Sequence, residues 1–104
     1  MDRGTALTIA TAYADEVCKV FAPLAIILYG SYANDTAATD SDIDVAVIFE
    51  GYDGNWLQDS ATLWKLTRKV NTNIEPILLD RAQDPSGFVD KIRNSGEIIY
   101  EKGI

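Results

Sequence analysis

Gly30-Ser31-Tyr32-Ala33-Asn34-Asp35-Thr36-Ala37-Ala38-Thr39-Asp40-Ser41-Asp42-Ile43-Asp44-Val45 is the stretch on which the fold turns. Ahead of it stands Ala25-Ile26-Ile27-Leu28-Tyr29. This short apolar run, stopped by Gly30, has the pattern of a buried strand. Beyond the stretch, residues 43–49, Ile-Asp-Val-Ala-Val-Ile-Phe, make a second apolar strand. Only about a dozen residues separate the two, too few for a regular crossover helix, so they are predicted to be antiparallel neighbours. The small polar residues 31–42 read as a loop or a short helical turn.

Working outward, Leu7, Ala10, Ala14, Val17 and Phe21 recur at helical spacing and predict a helix over 5–21, ended by Pro23. Tyr52-Asp53-Gly54-Asn55 is a turn cluster. A second helix is predicted over about 55–71, with Trp56, Leu63, Leu66 and Val70 on one side. Its cations Lys65, Arg68 and Lys69 gather where the helix dipole favours them. Residues 74–79 form a third strand, and because Pro76 lacks an N–H the strand is at a sheet edge or Pro76 sits at its start. Asp84-Pro85 opens a third helix, Gly96 stops it, and Glu97–Tyr100 is a fourth strand. Mixed helices and strands give an α/β or α+β class, one small sheet flanked by helices. At 104 residues the chain is read as one domain, 1–104.

Composition removes several chemistries. The chain has no His, which excludes Ser-His-Asp and Cys-His nucleophilic sites and His metal ligands. Its one cysteine, Cys18, leaves no internal disulfide and no Cys-rich zinc site. Nine Lys and Arg against sixteen Asp and Glu give a net charge of −7, which opposes direct binding to nucleic acid. No apolar run approaches the roughly 20 residues needed to span a bilayer, and a cytoplasmic location is expected.

The chemistry lies in two features of the quoted stretch. Asp42 and Asp44 are two apart, so on a strand they project from one face about 6.6 Å apart. Two carboxylates held close shift a pKa or hold a cation, and hard oxygen donors suit Mg²⁺. Gly30 lets backbone approach a ligand, and a turn beginning at Ser31 would aim N–H groups and a hydroxyl at a phosphate. Their joint ligand would be a metal-bound nucleoside triphosphate. Between Lys19 and Lys65 there is no cation but seven acids, Asp35, Asp40, Asp42, Asp44, Glu50, Asp53 and Asp59. Bound Mg²⁺ would reverse that local sign. A two-metal site needs a third carboxylate, and Glu75, a charge inside an apolar run, is the best candidate for ligand or base. An EF-hand beginning at Asp40 is rejected, since its sixth position is Val45 and its twelfth is Gly51.

Gly30-Ser31, ten residues, then Asp42-x-Asp44 at the head of a strand resembles the signature of minimal nucleotidyltransferases of the DNA polymerase β superfamily. Ser41-Asp42-Ile43-Asp44-Val45-Ala46-Val47 closely resembles that superfamily's second-strand motif. The resemblance implies transfer of AMP from ATP, with two Mg²⁺ ions held by Asp42, Asp44 and Glu75, to a hydroxyl acceptor. Small stand-alone copies are similar to antitoxins that adenylylate a tyrosine of a HEPN ribonuclease toxin, in a homo- or hetero-oligomer. The chain departs from the family pattern where Asn34-Asp35 replace the usual Arg-Gly, and where Glu75 replaces the usual Asp. Two further readings are weighed: a catalytically weak module that neutralises a partner by occlusion, and a small-molecule nucleotidyltransferase.

Overall fold

The computed structural model describes residues 2–33 and 42–103. The elements run α1 (Arg3–Cys18), β1 (Ala25–Tyr29), β2 (Ile43–Phe49), α2 (Trp56–Thr67), β3 (Ile74–Asp80), α3 (Phe88–Ser95) and β4 (Glu97–Glu101). They form a four-stranded mixed sheet of order β3-β2-β1-β4 flanked by helices. This is the expected class, and β1 and β2 are the expected antiparallel neighbours, with Ala25 opposite Ile48 and Tyr29 opposite Asp44. β3 stands at an edge, as Pro76 requires, and runs parallel to β2. The β2–β3 connection carries α2 over the sheet, the crossover that a parallel pair demands.

Strand alternation sorts the interior into two clusters. Ile26, Leu28, Ile43, Val45, Val47, Ile74 and Leu78 face α1 and α2, meeting Ala10, Tyr13, Val17, Leu63 and Leu66. Ala25, Ile27, Ala46 and Ile48 face α3, meeting only Val89 and Ile92 among buried residues. Tyr13 ties the larger layer together, its hydroxyl donating to the Leu63 carbonyl at 2.7 Å. That phenol is buried, and burial raises its pKa.

Three boundaries differ from the sequence reading. α1 stops at Cys18, five residues before Pro23, where Val20 and Phe21 close onto the Val17 carbonyl in a tight turn. α2 ends at Thr67 for a similar reason, with Val70 and Asn71 both donating to the Thr67 carbonyl. α3 begins at Phe88, later than Asp84-Pro85 suggested. Gly87 occupies the cap in the left-handed region (φ 71°), and Asp84 accepts from the Phe88 and Val89 N–H groups across the intervening turn. Asp84 therefore satisfies the helix start as foreseen, through a longer turn.

Candidate active site

Every residue here is placed by strand register. Asp44 is the second residue of β2 and pairs with Tyr29 on β1 and Glu75 on β3. Even-numbered residues of β2 face α3, so Asp44 projects on the side of Ala46 and Ile48, where it is half-buried. Directly opposed residues of paired strands share a face. Glu75 therefore stands beside Asp44, and Asp42 lies just ahead of β2 at an exposed position.

Electrostatics report the convergence. Burial raises the Asp44 pKa and the Asp42 charge raises it further. Glu75 is raised by desolvation first, then by the Asp42 charge, a hydrogen bond shared with the Asp42 carboxyl, and the Asp44 charge. At Asp44 and Glu75, neighbouring carboxylates add to desolvation in disfavouring ionisation, the behaviour of like charges sharing one site.

Gly30 follows Tyr29 at the end of β1, with φ +75°. A Cβ there would collide with the Asp44 carboxylate, its Cγ only 3.2 Å away. Glycine is thus required twice, by backbone angle and by the closeness of Asp44. Ser31 comes next, in the turn spanning 30–33. The structure brings Gly30, Asp42, Asp44 and Glu75 to one corner of the sheet, with Ser31 adjoining in sequence. Asp40, Ser41 and the Asn34-Asp35 departure lie outside the described residues.

Tyr29 was missed by the sequence reading. It is partly buried opposite Asp44, and its ring meets Phe88 of α3 edge-on, centroids 6.1 Å apart. Its pKa is raised by burial, then by the charges of Asp44 and Glu75. The signal was available: in an antiparallel pair, the last residue of one strand faces the first residues of the next. Tyr32 is buried in the larger layer and acts in packing.

Among the described residues, no group of three or more His, Cys, Asp or Glu already stands in metal-ligating geometry. The donor chemistry nonetheless fits a hard divalent cation. The three groups are oxygen donors of one sign, and at Asp44 and Glu75 the like-charge repulsion that adds to desolvation is what a bound cation would relieve. Among the described residues, no helix is long and apolar enough to cross a membrane.

Residues 14–103 match the sequence profile described as polymerase beta, nucleotidyltransferase. No curated protein matches the chain in sequence. A crystal structure of a protein assigned as a nucleotidyltransferase from Sulfolobus solfataricus superposes with a TM-score of 0.68 at 24% identity, covering 96% of this chain and 84% of that one. A toxin-antitoxin structure solved with AMP-PNP superposes with a TM-score of 0.66 at 20% identity, covering 89% of this chain and 74% of that one. At these identities the likeness is one of fold.

Proposed function

The chain belongs to the polymerase beta nucleotidyltransferase family, and from that premise we propose that it transfers AMP from ATP to a protein hydroxyl. The acceptor proposed is a tyrosine of a cognate HEPN ribonuclease toxin, which makes this chain an antitoxin. The observation that carries the reading is the register that sets Asp44 beside Glu75 on a corner closed by Gly30. The toxin-antitoxin neighbour supports the biological setting, and its AMP-PNP supports an adenine nucleotide.

Asp42, Asp44 and Glu75 would hold Mg²⁺, which when bound neutralises the triphosphate and lowers the pKa of an attacking hydroxyl. The missing Cβ of Gly30 makes room for the Asp44 carboxylate, and the Ser31 hydroxyl and turn N–H groups are suited to donate to a phosphate. Glu75, with its raised pKa, is suited to take the acceptor's proton. The acceptor oxygen attacks the α-phosphorus, the bond to the bridging oxygen breaks, and pyrophosphate leaves.

The test is purified chain, toxin, α-labelled ATP and Mg²⁺. Label on a toxin tyrosine, lost with Asp42→Asn plus Asp44→Asn, is the expected result. Absence of label at saturating metal overturns it. The second reading, neutralisation by occlusion, is favoured by Asn34-Asp35, which exchange a phosphate-holding cation for an anion. It requires that the double variant still silence the toxin.

A further inference from the structure

The chain has two tryptophans, Trp56 and Trp64, and both stand on the outer side of α2. They are 54% and 47% exposed, and Leu57 on the same stripe is 74% exposed. Positions 56, 60 and 64 recur every four residues and line one helix edge. Between that edge and β3 lies a cleft of about 220 Å³, lined by Trp56, Ser60, Trp64, Pro76, Ile77 and Leu78 among others. The Ser60 hydroxyl is buried and has no hydrogen-bond partner among the described residues. Elsewhere among the described residues, the large exposed apolar side chains are only Val20 and Ile98. An apolar strip of this kind on a chain of net charge −7 marks a contact surface.

Backbone chemistry says what could fill it. Ile43 N–H donates to the Asn73 carbonyl and Arg81 N–H to the Phe49 carbonyl, so residues 73 and 81 aim their backbone groups at β2. Alternation turns 74, 76, 78 and 80 to the open edge. The Ile74 N–H is already spent on Asn71 and Pro76 has none. A strand added there would find too few donors, so the occupant presents side chains, as an amphipathic helix does. The rim sets its charge. Arg68, one turn beyond Trp64, and Lys65 are exposed and form no ion pair among the described residues. At the other end Asp59 is occupied by the Tyr52 hydroxyl at 2.5 Å.

The cleft opens on the α2 side of the sheet, whereas Glu75 and Ile77 turn to the α3 side, so it is a surface separate from the carboxyl corner. We propose that the α2–β3 cleft docks an amphipathic helix with an acidic flank, supplied by a partner protein. This goes beyond the nucleotidyl-transfer reading and does not depend on it.

Both tryptophans lie in the surface, so intrinsic fluorescence reads occupancy directly. The probes are two synthetic amphipathic helices with identical leucine stripes, one flanked by glutamates and one by lysines. A saturable blue shift with the glutamate helix, at least about tenfold tighter than with the lysine helix, is expected. Arg68→Glu with Lys65→Glu should reverse that preference. Trp64→Ala should weaken binding about tenfold or more, read through Trp56. No shift with either helix, or equal affinity for both, overturns the proposal. So does a concentration-dependent dimer of the chain alone that Trp64→Glu abolishes, since the occupant would then be a second copy. Stabilisation of the wild-type chain by ATP and Mg²⁺, measured separately, is expected to survive Trp64→Ala. Its absence in the wild-type chain sinks the nucleotide reading while leaving the fluorescence result standing.

Discussion

The two faces of β2 are built from one seven-residue strand and are opposite in character. Ile43, Val45 and Val47 enter a layer sealed by two helices, of 16 and 12 residues. Asp44, Ala46 and Ile48 face a helix of eight, whose Val89 and Ile92 bury Ala46 and Ile48 while Asp44 is left half-buried. Stability is concentrated where cover is complete, and ionisable groups gather where it runs out. An alternating strand lets a single segment serve both purposes without compromise between them.

The sharpest way to break this division is at the open face. Asp42→Asn with Asp44→Asn should lower transfer by about a thousandfold or more while circular dichroism stays native. If the fold collapsed instead, the open face would be structural. Next comes the sealed face. Leu28→Ala should cost roughly 3 kcal/mol in denaturant unfolding, by lost burial and a cavity. ATP binding by the protein that remains folded should be unchanged. Gly30→Ala joins both faces: the left-handed angle and the collision with Asp44 should cost on the order of 1–2 kcal/mol and weaken nucleotide binding, read by calorimetry.

A subtler effect is the pH response. Asp44 and Glu75 have folded pKa values above their ordinary 3.8 and 4.5. The folded state therefore holds more protons than the unfolded state between the ordinary and the raised values. The stability these two groups contribute is complete below the ordinary values and is lost as pH rises through the raised ones. Asp44→Asn with Glu75→Gln should flatten that part of the melting-temperature profile, and Mg²⁺ should stabilise the native chain at neutral pH more than the variant. The smallest expected change is Asp84→Ala, about 1 kcal/mol from the lost cap of α3, with nucleotide affinity unaltered.

How much of this was legible depended on sequence distance. β1 and β2 were readable to the residue, since apolar runs bounded by Gly30 and Asp42 are local signals. Asp42 and Asp44 were legible as a pair for the same reason. Glu75 was found only as a charge in an apolar run; its pairing with Asp44 depends on a parallel register that no local pattern encodes. The helix ends were misplaced because α1 and α2 close through tight turns onto Val17 and Thr67, where no proline or glycine marks the stop. The start of α3 was misplaced because Asp84 caps across a longer turn. The cleft beside Trp56 was hidden by periodicity, which assigned Trp56 to the core stripe, whereas the fold leaves it half exposed.

The parallel pairing of β2 with β3 also has a temporal meaning. A chain emerging from the ribosome presents Gly30 and Asp44 well before Glu75, and the triad cannot assemble until α2 has been laid across and β3 has slotted in beside its neighbour. On the proposed mechanism, a product ending near residue 70 would carry the β1–β2 hairpin yet lack the third acid, so activity would wait on completion of β3.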